Sequence, residues 1–210
     1  MYRKLASLFV SVLAATSAVQ AGTILFDLQA EALKDSLGNP MATTGLVLLV
    51  ADTTQNGFSS LSDGSSLALN AFLNGTDDKV LGRFNLSKNI TPGLLLEAPS
   101  ITYGSGWDIG DPLALLWFPT LNTASTTATS GNSYGFFSGA ALNGSDAWVT
   151  PADATSGYKL FMFTSDAGNF PGTQAPSAGV ASLTVAGVPE PSRALLGMIG
   201  LGVLALRRRR

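Results

Sequence analysis

Between residues 22 and 188, apolar stretches run four to seven residues before glycine, serine, threonine or asparagine interrupts them. A core helix needs ten or more residues of repeating apolar pattern, so this punctuation restricts the segment to strands joined by turns. Eight stretches fit: 23–28, 46–51, 67–73, 80–84, 114–118, 134–137, 160–164 and 180–185. Leu46 to Val50 and Leu115 to Phe118 are apolar at every position, as strands buried on both faces are. Ala181, Leu183 and Val185 alternate with Ser182 and Thr184, as a strand with one wet face requires. The spacing predicts one all-β domain over residues 22–187, a β-sandwich, jelly-roll-like or otherwise. Gln29 to Leu37, closed by Gly38-Asn39-Pro40, is the one stretch of this segment that suits a helix, and it suits a loop equally well. Pro119 to Ser133, rich in threonine, serine and asparagine, reads as a mobile surface loop with little to bury.

The flanks differ in kind. Residues 1–21 open with Met1-Tyr2-Arg3-Lys4, continue through an apolar run from Leu5 to Ala15, and close with Val19-Gln20-Ala21. Basic start, apolar middle and small-residue exit occur in the order of a secretory signal peptide, cut by signal peptidase before Gly22. At the other end, Ala194 to Leu206 is uncharged and is followed by Arg207, Arg208, Arg209 and Arg210. Thirteen helical residues rise about 20 Å, less than the roughly 30 Å hydrocarbon core, but snorkelling arginines and local thinning extend the reach. This run is expected to be a membrane-anchor helix, with Arg207–Arg210 as its cytoplasmic stop. Seven of the twelve basic residues lie in these flanks. The middle retains five against thirteen acids, a net charge of −8, which leaves no basic face for nucleic acid.

Val188-Pro189-Glu190-Pro191-Ser192 precedes the apolar run. Two prolines around one acid hold the chain extended and stop a helix from propagating backwards, leaving a stiff, accessible peptide at the membrane surface. The order Pro-Glu-Pro, short apolar segment and terminal arginine cluster resembles the PEP-CTERM sorting signal over residues 188–210, with the signal peptide as its usual companion. It departs from the family at Arg193, where a small or apolar residue is more usual. The resemblance implies a substrate of exosortase, a membrane-embedded cysteine transpeptidase of Gram-negative bacteria that also make exopolysaccharide. Pro189, Glu190 and Pro191 would then be recognition residues. The inner membrane would tether an intermediate whose destination is the outer surface or extracellular matrix, in a structural or adhesive role beside exopolysaccharide or biofilm.

The middle segment offers little chemistry. With neither cysteine nor histidine, the chain can form no disulfide, Ser-His-Asp or Cys-His arrangement, or common zinc site. A hydrolase would need a carboxylate pair, with Glu31, Glu97, Asp108 and Asp111 at hand, or a Ser-Lys arrangement. Nothing in the spacing pairs them, so no catalytic residue is expected and the chain reads as a non-enzyme. Two ligand sites can be written down. Asp52, Asn56 and Asp63 fall at positions 1, 5 and 12 of a loop with Gly57 at 6, the order of a weak extracellular calcium loop, which Asp77-Asp78 could supplement; the same residues also suit a polar inter-strand turn held by Asp and Asn side chains. Trp107, within Gly104-Ser105-Gly106-Trp107-Asp108, is expected to be exposed and would suit a carbohydrate-binding module that stacks sugars, such as an extracellular polysaccharide. Trp117 and Trp148 stand among apolar residues and are assigned to the core.

Overall fold

The computed structural model describes residues 22–75, 77–86, 91–102, 106–139, 148–151, 156–162 and 179–187. These residues are all-β: they form nine strands and no helix, and the strands gather into two sheets. The expected signal segment 1–21, Pro189-Glu190-Pro191, the apolar run 194–206 and Arg207–Arg210 lie outside the described residues.

Strand β1 (Thr23–Ala30) is the hub of the first sheet. Two three-residue strands, β4 (Leu95–Glu97) and β5 (Ser100–Thr102), pair antiparallel with successive halves of one edge, Leu28 facing Glu97 and Leu25 facing Ser100. The other edge takes β8 (Ser156–Met162) in parallel, Phe26 facing Tyr158 and Ala30 facing Met162. Alternation along β1 sends Ile24, Phe26, Leu28 and Ala30 into the core, each fully buried.

The second sheet has the order β3 (Asp78–Asn85), β2 (Leu46–Asp52), β6 (Leu113–Phe118), β7 (Ser133–Ser138) and β9 (Leu183–Thr184), antiparallel throughout. Its centre is apolar on both sides because both sides are covered. Val47, Leu49, Ala51, Leu115 and Trp117 join Phe26, Leu28 and Leu160 of the first sheet in one cluster. Leu46, Leu48, Val50, Leu116 and Phe118 form a second cluster on the opposite face, under Leu61, Leu67, Leu73 and Ala128 from the connecting segments.

That cover corrects two expectations. Residues 67–73 form no strand; turns there drop Leu67 and Leu73 onto the sheet, with single bridges from Ser66 to Thr127 and from Phe72 to Lys79. Residues 119–133 are not a loose loop. Leu121 packs into the outer cluster, Ala128 is buried, and Leu67 and Ala128 donate backbone N–H groups to Thr126 and Ser65 carbonyls at 2.8 and 2.9 Å. Of the two readings of 29–37, helix or loop, the helix is absent. Gln29 and Ala30 finish β1, Ala32 adopts φ of 58°, and the Asp35 carboxylate accepts the N–H groups of Leu37 and Asn39 at 2.9 and 2.8 Å. A left-handed residue followed by an Asx turn leaves the helical ladder no place to start.

Candidate functional site

The sheet carrying β2 and β3 ends in charge. Asp52 closes β2 and Asp78 opens β3, and the two are directly cross-strand partners. Carboxylates facing each other across a ladder repel. Both are essentially fully buried, at 0% and 1% exposure, and Asp77 beside them is buried as well. Each acid is engaged by the segment that follows β2. Asp52 accepts the Thr54 N–H at 3.1 Å through Oδ1 and the Gly57 N–H at 2.7 Å through Oδ2. Gly57 sits at φ of +96°, a left-handed turn that presents its N–H to the carboxylate. Asp77 Oδ2 accepts the Asn56 side-chain amide at 2.9 Å, and the Thr54 hydroxyl lies 3.3 Å from both Asp52 Oδ1 and Asp77 Oδ2. Asp78 Oδ2 accepts the Ser59 N–H at 2.8 Å.

Asp78 Oδ1 is buried with no hydrogen-bond partner; among the described residues only Arg83 Nε shares that state. Burial pushes the Asp78 carboxyl up to about 6, and the neighbouring Asp77 and Asp52 charges push in the same direction, against the Ser59 hydrogen bond.

This geometry separates the three residues of the calcium-loop pattern. Asp52 and Asn56 meet at Asp77, but Asp63 is turned away, its Oδ1 accepting the Ser130 N–H at 2.8 Å. Asn56 offers its amide N–H₂ here. Among the described residues no group of three or more acidic side chains is disposed to hold a metal ion, so the structure identifies none of these residues as a metal ligand. Asp77 and Asp78 do approach the loop, as acceptors for its N–H groups. Spacing within residues 52–63 revealed the Asx-type turn; the partners at 77 and 78 come from the β2–β3 register, which the loop's own pattern does not encode.

Trp107 corrects a second expectation. It is 2% exposed, belongs to the inter-sheet cluster, and donates its indole N–H to the Thr102 carbonyl at 3.3 Å. The apolar space at the sheet end outweighs the polarity of its sequence neighbours, so no sugar can stack on it. Trp117 and Trp148 are buried as anticipated. Asp111, one of the carboxylates considered for hydrolysis, accepts the Asp108 N–H at 2.7 Å and the Gln55 amide at 3.3 Å.

The segment held by the three aspartates forms one wall of an apolar groove on the outer face of the second sheet. Phe58, Ser59 and Ser60 stand on that side, with Tyr134, Phe136 and Leu183 opposite, around a cavity of about 90 Å³. The Phe58 and Phe136 rings meet edge to face, 5.4 Å between centroids. Phe136 and Leu183 are partly open to solvent, at 37% and 43% exposure. No family model matches this chain, and no curated protein or solved structure does.

Proposed function

We infer that the chain is an exported protein of the cell surface or extracellular matrix, its two sheets forming a β-sandwich with a structural or adhesive role and no catalytic one. The observation that carries this reading is the tripartite end of the sequence: Pro189-Glu190-Pro191, the apolar run 194–206 and Arg207–Arg210, paired with the signal-like residues 1–21. Cations flanking both apolar segments favour one compartment for the two ends and send the acidic middle across the membrane. The resemblance to exosortase substrates makes Pro189, Glu190 and Pro191 the recognition element, with signal peptidase and an exosortase-like enzyme as partners. Two features of the domain agree with passage through a membrane. It has no cysteine, so folding after export needs no disulfide chemistry, and its first strand begins at Thr23, immediately after the expected cut. The parallel β1–β8 pair sets the sandwich apart from a wholly antiparallel jelly roll.

The intact mass of the mature protein tests the reading. Loss of residues 1–21 and of everything beyond the Pro-Glu-Pro element is the expected result. A mature chain that keeps Arg207–Arg210 would reduce the C-terminal segment to an uncut anchor, and a chain that keeps residues 1–21 would remove the export reading itself.

A further inference from the structure

We propose that the polar pocket between residues 62–66 and 72–75 binds one uncharged sugar ring, a pyranose unit of a glycan. The pocket encloses about 300 Å³, the lower end of the range for small-ligand sites, which suits one ring and not a chain. It lies in the connecting segments that cover the outer face of the second sheet, and Ser62, Asp63, Gly64 and Gly75 at its mouth are exposed.

Its walls are fixed by hydrogen bonds of their own. Ser65 is 4% exposed; its hydroxyl accepts the Ser62 N–H at 2.9 Å and donates to Asn74 Oδ1 at 2.5 Å, and the Asn74 amide donates to the Ser60 carbonyl at 3.0 Å. The Ser66 N–H is tied to the Leu73 carbonyl at 2.8 Å, and the Gly64 N–H to the Ala128 carbonyl at 2.9 Å. A ligand entering such a site has little ordering cost to meet.

The groups these bonds leave over define the ligand. Asp63 gives Oδ1 to the Ser130 N–H at 2.8 Å and takes no hydrogen bond at Oδ2 from the described residues; the Ser66 hydroxyl makes none with them either. Asn74 retains its second amide N–H. A carboxylate oxygen, a hydroxyl and an amide N–H side by side match a ligand that donates and accepts at adjacent atoms, as neighbouring sugar hydroxyls do. Phe72 and Leu73 supply the apolar surface on which the C–H face of a pyranose packs. Among the described residues that line the pocket there is no lysine or arginine, so an anionic ligand would face the Asp63 charge without compensation. One carboxylate among neutral groups also falls short of the oxygen cage a divalent cation takes. The site gives an adhesive role its ligand, yet the binding itself does not rest on export or processing.

Amide chemical shifts of the full chain, held in a detergent without a sugar headgroup, test this with glucose, galactose and mannose, each beside its uronic acid. At least one neutral sugar should shift the Gly64, Ser66 and Gly75 amides with a dissociation constant on the order of millimolar, the range for a ligand of about twelve non-hydrogen atoms. Its uronic acid should bind more weakly, and an oligosaccharide of the same sugar at least as tightly. Asp63→Asn, which keeps an oxygen for Ser130 but loses the carboxylate, and Phe72→Ala should each weaken binding about tenfold. No shift at these amides with any of the three sugars up to about 100 mM overturns the proposal, as does equal or tighter binding of the uronic acid, loss of binding to the oligosaccharide, or unchanged affinity in both variants. Should the variants fail to fold, the parent protein decides: shifts centred on 62–66 and 72–75 support the site, and shifts centred elsewhere overturn it.

Discussion

Gly135 lies across the β6–β7 ladder from Trp117, and the Trp117 indole occupies the space that a side chain at 135 would need. The indole is not free to swing aside. It is 1% exposed, packed in the inter-sheet cluster, and its N–H donates to the Lys34 carbonyl at 3.2 Å. Gly135→Ala should therefore destabilise the domain by about 1–3 kcal/mol, the usual penalty for overpacking a filled core, read as a lower midpoint in urea with an unchanged slope. Residue-scale inference from sequence succeeded where the neighbours in the chain are also the neighbours in space. Asp52, Gly57 and the turn they close were legible for that reason. Trp107 was not, because polar residues surround it in sequence while the inter-sheet cluster surrounds it in the fold. Nor was the burial of Asp78, which depends on a strand register and on a cover folded over it from 53–61.

Among the elements, β2 reads most directly from the sequence. An unbroken apolar run denotes a strand covered on both sides, and Leu48 and Leu49, neighbours in the chain, belong to opposite clusters. Leu48→Ala and Leu49→Ala should each cost about 2–5 kcal/mol in denaturant unfolding, because each leaves a cavity in a close-packed layer. A sheet with one wet face would show the loss for only one of them. Strands β3, β6 and β7 were legible by the same run-length argument. Strands β4 and β5 were not: three residues carry no period, and they are strands only because β1 offers an edge to pair with. The segments 67–73 and 119–133 erred in opposite senses for one physical reason. Whether a leucine-bearing loop is a strand, a free excursion or a lid depends on how much apolar sheet remains uncovered beneath it, which is a property of the assembled layers.

For the whole molecule, the first sheet joins early and late parts of the described chain, since β1 at residues 23–30 takes β8 at residues 156–162 along Leu25–Ala30. A chain ending after Thr150 would lose Leu160, Met162, Ala181 and Val185 from the two clusters. It should show no cooperative transition in calorimetry, whereas a sharp melt from that fragment would make β8 and β9 additions to an already stable body. The same long-range pairing governs what happens while the protein is being made. On a ribosome adding roughly 5–20 residues per second, the earliest strand waits on the order of ten seconds for its parallel neighbour to emerge. Throughout that interval one edge of the earliest strand goes without its lasting neighbour, so the first sheet stays unfinished until most of the described chain has emerged.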